Sequence, residues 1–173
     1  MKNLLFCPVC GKESLTFINH RKWQCSDCDF VLFHNIAAAV AVILRVGNEI
    51  FLTQRAIAPN SGALDLPGGF SDPEETSEET CVRELHEELG IIFPIEKLRY
   101  LGSQPNIYPY KGVTYRTMDM FYELILEEKF IPKIDCTEIR CGIWMDLESL
   151  PIEKMAFNSQ KTFMESYRKR YFF

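Results

Sequence analysis

The sequence has no long hydrophobic run. Its longest apolar stretch, residues 36–44, is nine residues long, far short of the ~18–20 needed to cross a bilayer as a helix. It is small and β-branched and ends at Arg45, so it reads as a buried strand, and no membrane partner is expected. The opening MKNLLFCPVC lacks the long apolar core and small-residue cleavage site of a secretory signal. An excess of positive charge is missing too. The net charge is −5, which argues against a general nucleic-acid binder. Residues 1–34 carry four basic and three acidic side chains, and no basic stripe stands out. There is no internal repeat and no low-complexity segment. What remains is a chain of 173 residues, 47% apolar, enough for one ordinary globular domain with a small appendage.

Seven cysteines cannot all pair with one another, and four of them form two CxxC pairs, Cys7/Cys10 and Cys25/Cys28, with fourteen residues between the pairs. Without an export signal, this pattern suits a reducing cytoplasm and a metal site better than a disulfide framework. Each pair can make a tight turn presenting two thiolates. Four thiolates complete the tetrahedral shell of Zn2+ and leave no open position, the mark of a structural site. So small a unit buries little core, and metal binding is expected to supply most of its stability. His20 lies between the pairs and reads as a loop residue. Phe17, Trp23 and Phe30 are expected to cover this ribbon and dock it on the main domain. The near-neutral charge favours a packing or dimerisation role, which leaves a homodimer as one assembly open to the chain. Cys81, Cys136 and Cys141 read as reduced packing residues.

Residues 33–35 mark the joint, dividing a ribbon at 1–34 from a larger domain at 35–173. A strand over 38–46 turns at Gly47-Asn48 into a hairpin partner over 49–54. A loop over 55–63 and a short strand over 64–66 lead through Pro67 into Gly68-Gly69. Paired glycines let backbone approach phosphate or metal closely. Further on, strands are expected over 95–103, 115–126 and 140–147. The proline-rich stretch 104–111 is expected to lack regular structure. A terminal helix opens at Phe157 or Asn158 and runs to about Tyr171.

The chain is organised around residues 69–91, GFSDPEETSEETCVRELHEELGI. This is a loop feeding a short, carboxylate-rich helix. Ser77 is the expected N-cap, Glu78 and Glu79 suit the first turn, and Gly90 ends the helix. At about 100° per residue, Glu84, Glu87 and Glu88 share one arc, while Val82, Leu85 and Leu89 share another. One stripe can pack on a core while the other aims three carboxylates at a common spot. Such a cluster costs a few tenths of a kcal/mol per like-charged pair, which a hard divalent cation would offset. The plain alternative is a solvated acidic face.

The stretch matches Gly-x5-Glu-x7-Arg-Glu-apolar-x-Glu-Glu-x-Gly-apolar at all nine defined positions and resembles the Nudix box. The resemblance implies an α/β/α sandwich with a mixed sheet, and a hydrolase of nucleoside diphosphates linked to another moiety. It implies a Mg2+ or Mn2+ cluster held by Glu84, Glu87 and Glu88, with the carbonyl of Gly69 a further ligand. It makes Arg83 and Glu75 an ion pair fixing the loop on the helix. Ser103-Gln104-Pro105, followed by Pro109, also resembles part of the segment after the box in zinc-containing NADH pyrophosphatases. Here Asn106, Ile107 and Tyr108 replace its Trp-Pro-Phe portion. Tyr108 or Tyr110 would then line a pocket for a base or ribose; the alternative is a loop whose tyrosines pack on the core. Arg55, Lys111 and Arg116 are candidates to meet phosphate. The general base is Glu88 or Glu138. Asp119 and Glu123 are weaker candidates for that role and read as surface residues. The expected function is metal-dependent hydrolysis of a small nucleotide diphosphate, with NADH/NAD or ADP-ribose favoured. The alternatives are a non-catalytic nucleotide sensor that engages a partner through its ribbon, and a house-cleaning enzyme for nucleoside triphosphates.

Overall fold

The computed structural model describes residues 4–172. Met1, Lys2 and Asn3, which open the stretch read above for an export signal and the expected ribbon, lie outside the described residues, as does Phe173. The chain first makes a small antiparallel sheet of β1 (Leu15–Ile18), β2 (Lys22–Cys25) and β3 (Val31–Phe33). Its core is Cys7, Leu15, Trp23 and Cys25, with Cys28 and Phe30 packed against it. Phe17 stacks on Trp23 with ring centroids 4.5 Å apart. His34, in the expected joint, packs edge-on against both rings. His20 sits at φ 56° in the exposed β1–β2 turn.

A mixed sheet follows. It contains β4 (Ala37–Val46), β5 (Glu49–Arg55), β6 (Leu64–Asp65), β7 (Arg99–Tyr110), β8 (Val113–Ile125) and β9 (Ile139–Asp146). The strand order is β6-β5-β4-β8-β7, with β9 paired to β5. β4 runs parallel to β8 over nine residue pairs, from Ala37–Thr117 to Arg45–Ile125. A central parallel pair needs cover on both faces, and two helices provide it. α1 (Ser77–Leu89) brings Cys81, Leu85 and Leu89 against Val40, Val42 and Leu44. α2 (Asn158–Phe172) brings Phe163, Met164 and Tyr167 against Ala41, Ile43 and Phe121. The alternation of β4 side chains between these two cores explains why the strand reads as an unbroken apolar run. The result is the expected α/β/α sandwich.

Three expectations are corrected. The stretch 104–110 is not irregular. β7 begins at Arg99, after a 3-10 turn at Ile95–Lys97, and runs unbroken to Tyr110. It is the outermost strand and pairs with β8 alone. Pro105 and Pro109 are four residues apart, so both turn the same side to the sheet edge, where a missing N–H breaks no ladder bond. Lys111-Gly112 then closes a two-residue hairpin, with φ 46° and 78°, as a type I′ turn requires. Next, Asp119 and Glu123 are not surface residues. Both are buried on β8, because the face they point to is covered by α2. Finally, the helix N-cap is Thr76, not Ser77. Thr76 makes a reciprocal capping box with Glu79, while the Ser77 hydroxyl meets Tyr122 and Glu78 instead.

Candidate active site

The hairpin partner β5 pairs only with Leu44–Val46 of β4. The preceding half of that edge is left to the loop after β6. Val42 N–H donates to the carbonyl of Pro67 and Val40 N–H to that of Gly69, each at 2.8 Å. The loop therefore lies flat against the sheet, directly under α1. One glycine is required here, and a second sits against a site carboxylate. Gly68 has φ 141°, and a Cβ there would strike the Val40 carbonyl. A Cβ on Gly69 would overlap the Glu84 carboxylate.

Arg83 ties the loop to the helix. Its Nε donates to Glu75 Oε1 at 2.7 Å, and its Nη2 donates to Glu75 Oε2 and to the Phe70 carbonyl. The expected ion pair is present, and Glu75 is held down to about 2 by the Arg83 hydrogen bond, which outweighs its partial desolvation. Arg83 Nη1 also bridges Glu84 at 2.8 Å and Glu87 at 3.1 Å. Glu88 lies deeper. Its Oε2 accepts the Gly68 N–H at 3.0 Å. Burial, then the charges of Glu84, Asp65 and Glu138, push its pKa well above the ordinary range. Burial also raises Glu84, against the pull of Arg83.

Arg83, Glu84, Glu87 and Glu88 line a cavity of about 460 Å3, with Glu75 behind Arg83 and outside the lining. Glu138 and Asp135, from the loop before β9, line it as well. The same lining carries a group of aromatic rings, called the aromatic wall below. Tyr108 sits 5.5 Å from Phe157 and 5.1 Å, edge-on, from Phe70, with Tyr110 alongside. Arg55 belongs to the lining too. It donates to Asp65 at 2.7 Å and to the Pro59 carbonyl at 2.8 Å, and lies over the Phe157 ring. The structure thus brings together Gly69, Glu75, Arg83, Glu84, Glu87, Glu88, Glu138, Tyr108, Tyr110 and Arg55. Arg116 and Lys111 are exposed and outside the cavity lining. Sequence reasoning missed Asp65, Asp135, Phe157 and Gln160 as lining residues, and favoured a surface position for Asp119, which lines the cavity too.

The donor set fits a hard divalent cation: carboxylate oxygens, one of which, on Glu88, is buried with no cation paired to it among the described residues. The carboxylates are not drawn together as ligands around a point. Among the described residues, the cysteines form the one His/Cys/Asp/Glu group whose ligand atoms all lie within 4.8 Å of one another. Cys7–Cys28 and Cys10–Cys25 have Sγ separations of 3.7 Å, close to the ~3.8 Å edge of a tetrahedron with 2.3 Å Zn–S bonds. The Ser14 hydroxyl, against the effect of burial, lowers the Cys25 thiol, while Cys28, against the Phe30 hydrogen bond, is raised by burial and the neighbouring thiols.

Residues 34–167 match the NUDIX domain family. The chain is 35% identical over 108 residues to the NAD-capped RNA hydrolase NudC of Vibrio parahaemolyticus, covering 62% of this chain and 40% of that protein. It spans about half the length, or somewhat less, of the curated relatives it matches. A NUDIX hydrolase from Nitrosomonas europaea shares the fold over 95% of this chain and 90% of its own, with a TM-score of 0.64 and 24% identity. The NUDIX domain of Shewanella oneidensis NrtR, solved with ADP ribose, superposes over 79% of this chain and 89% of its own, with a TM-score of 0.63 and 22% identity. The glycine loop on β4, the Arg83 clasp and the carboxylates of α1 are the parts by which the chain belongs to the NUDIX family.

Proposed function

We propose that the cavity hydrolyses the diphosphate linkage of a nucleoside diphosphate-X substrate, with NADH/NAD or ADP-ribose the favoured compounds. The observation that carries this reading is the division of one cavity into a carboxylate wall and an aromatic wall. A diphosphate needs cations beside it, and a base or nicotinamide ring needs an apolar face. The names of the NudC relatives and the ADP ribose held by the NrtR domain support the nucleotide class.

Glu84, Glu87 and Glu88 would hold Mg2+ or Mn2+, with Gly69 offering the second lone pair of a carbonyl already used by Val40. Such an ion neutralises phosphate charge and lowers the pKa of a water. Glu138 is the general base in this reading. Glu88 is committed to the Gly68 N–H, whereas Glu138 lines the cavity and, among the described residues, has no side-chain hydrogen bond or ion pair. Arg55 meets a phosphate oxygen, and Tyr108, Tyr110, Phe70 and Phe157 hold the ring. Cys7, Cys10, Cys25 and Cys28 hold a structural Zn2+.

The test is a panel of NADH, NAD, ADP-ribose, nucleotide sugars and dinucleoside polyphosphates with Mg2+ or Mn2+, reading the cleaved products. Glu88→Gln and Glu138→Gln are each expected to lower kcat by at least roughly 100-fold while the protein still melts cooperatively. Unchanged turnover in both variants refutes the assignment.

A further inference from the structure

One buried carboxylate facing the cavity has no part in the chemistry above. Asp119 sits at the middle of β8, between Ala39 of β4 and Gln104 of β7 in the sheet register. It is 7% exposed and lines the cavity. Thr117 donates its hydroxyl to Oδ1 and Ser159 donates its hydroxyl to Oδ2, both at 2.6 Å. Both hydroxyls are themselves buried. Among the described residues no Lys, Arg or His pairs with Asp119; the nearby Arg55 is engaged by Asp65. A carboxylate has about four acceptor positions, and here the protein fills two. A buried carboxylate with spare acceptor capacity is unfavourable unless a donor arrives.

The geometry points to Asp119 as the residue that selects the substrate's ring. We propose that it accepts an N–H from an exocyclic amine or carboxamide on that ring and rejects rings carrying a carbonyl or carboxylate there. This deepens the nucleotide reading above and rests on it. The ring is the expected donor because of what pins Asp119. Ser159 belongs to the first turn of α2, two residues after Phe157, which lies 5.5 Å from Tyr108. Gln160, next in line, donates to Asp65, the partner of Arg55. One turn of α2 therefore sets the aromatic wall, the acceptor and the orientation of the cavity cation together. Ala39 beside Asp119 is small, so the floor stays open for the edge of a ring laid on that wall.

The test uses the full chain and two ligand pairs. AMP against IMP exchanges a ring amine for a carbonyl. Nicotinamide mononucleotide against nicotinic acid mononucleotide exchanges a carboxamide for a carboxylate. Titration calorimetry gives the preference within each pair, and hydrolysis of the corresponding dinucleotides is read in parallel. The wild type is expected to favour the N–H-bearing member of at least one pair by roughly 10- to 100-fold, the worth of a hydrogen bond to a charged group. The pair that responds identifies which ring contacts Asp119. Asp119→Asn can present its amide N–H to a carbonyl while its hydroxyl neighbours rotate to suit it. It is expected to bring the preference within about threefold. Ser159→Ala, which frees one oxygen from its pin, is expected to give an intermediate ratio. A purely structural role for Asp119 would lower affinity for both members together and leave the ratio intact. Equal or absent binding of both members of each pair by the wild type, or a ratio unmoved by Asp119→Asn, overturns the proposal. Selective binding without any hydrolysis refutes the hydrolase reading alone, and hydrolysis without selectivity refutes this one alone.

Discussion

Replacing Glu123 by glutamine is expected to unfasten α2 from the sheet. Glu123 lies on β8 and is 1% exposed. Its carboxylate accepts hydrogen bonds from Tyr167 and, at 3.0 Å, from Tyr171, and it pairs with Arg99 at 2.5 Å and Arg45 at 3.6 Å. Arg99 is largely exposed, so solvent screens its share of the attraction. Arg45 is not: its side chain is 17% exposed, under the Tyr171 ring, with Nε making no hydrogen bond. Removing one partner of a buried pair costs roughly 3–5 kcal/mol. Glutamine keeps some of the tyrosine contacts, so the lower end applies. At 2–4 °C per kcal/mol for a chain of this size, Tm should fall by roughly 6–12 °C. The sign of the pH dependence follows from the carboxylate. Burial alone would raise its pKa, but Tyr167, Tyr171 and Arg99 outweigh burial and hold it below 4.5. Its contribution is therefore complete above the unfolded-state pKa and is lost as pH falls through the folded one. Thermal melts of wild type and Glu123→Gln should differ fully at pH 7, and the gap should shrink as pH falls below the ordinary glutamate range. Equal Tm values at pH 7, or a gap that persists unchanged to pH 3, would show that the cluster does not fasten the helix.

Arg83→Ala leaves Glu75, Glu84 and Glu87 without their shared cation, and turnover should fall at least about tenfold. Adding Glu75→Gln should cost little more, because both changes break one network; multiplicative losses in steady-state assays would contradict this. Gly68→Ala should lower both stability, by roughly 1–3 kcal/mol, and kcat, since it disturbs the N–H that meets Glu88. Gly112→Ala also sits at positive φ but meets nothing within 4 Å, so its melts should shift while its kcat does not. Elemental analysis should find one zinc per chain. Removing that zinc with a strong chelator, or introducing Cys7→Ser, should abolish the near-ultraviolet signal of Trp23 through unfolding of the ribbon. A ribbon signal that survives metal removal would count against a structural zinc.

The carboxylate wall was legible in the sequence because helix geometry alone brings i, i+3 and i+4 onto one face. The same local logic contained the true N-cap: Thr76-Ser77-Glu78-Glu79 has the Thr-x-x-Glu spacing of a capping box, whereas Ser77 has Thr80 three residues on. β4 was legible because cover on both faces leaves it no polar positions. Pro105 and Pro109 misled because a proline's effect depends on whether its strand has a neighbour on that side, which is a property of sheet order rather than of local sequence.

The aromatic wall was harder to read for a deeper reason. Asp119 and Glu123 alternate with apolar residues on β8, the usual pattern of a strand with one wet face. What buries them arrives forty or more positions later, as Ser159 and Tyr167 of α2. A helix carrying Ser159, Gln160 and Tyr167 looks polar on the side that in fact faces the sheet, because each polar atom has a partner waiting on another element. The two walls are therefore encoded differently. The wall suited to cations is written in 23 consecutive residues and can be recognised at a glance. The wall suited to a ring is assembled from Tyr108, Asp119 and Phe157, on separate segments of the chain. A change at any one of these can alter what the cavity accepts without touching the box. This is why sequence reading identifies the type of bond to be cut far more readily than the compound that carries it.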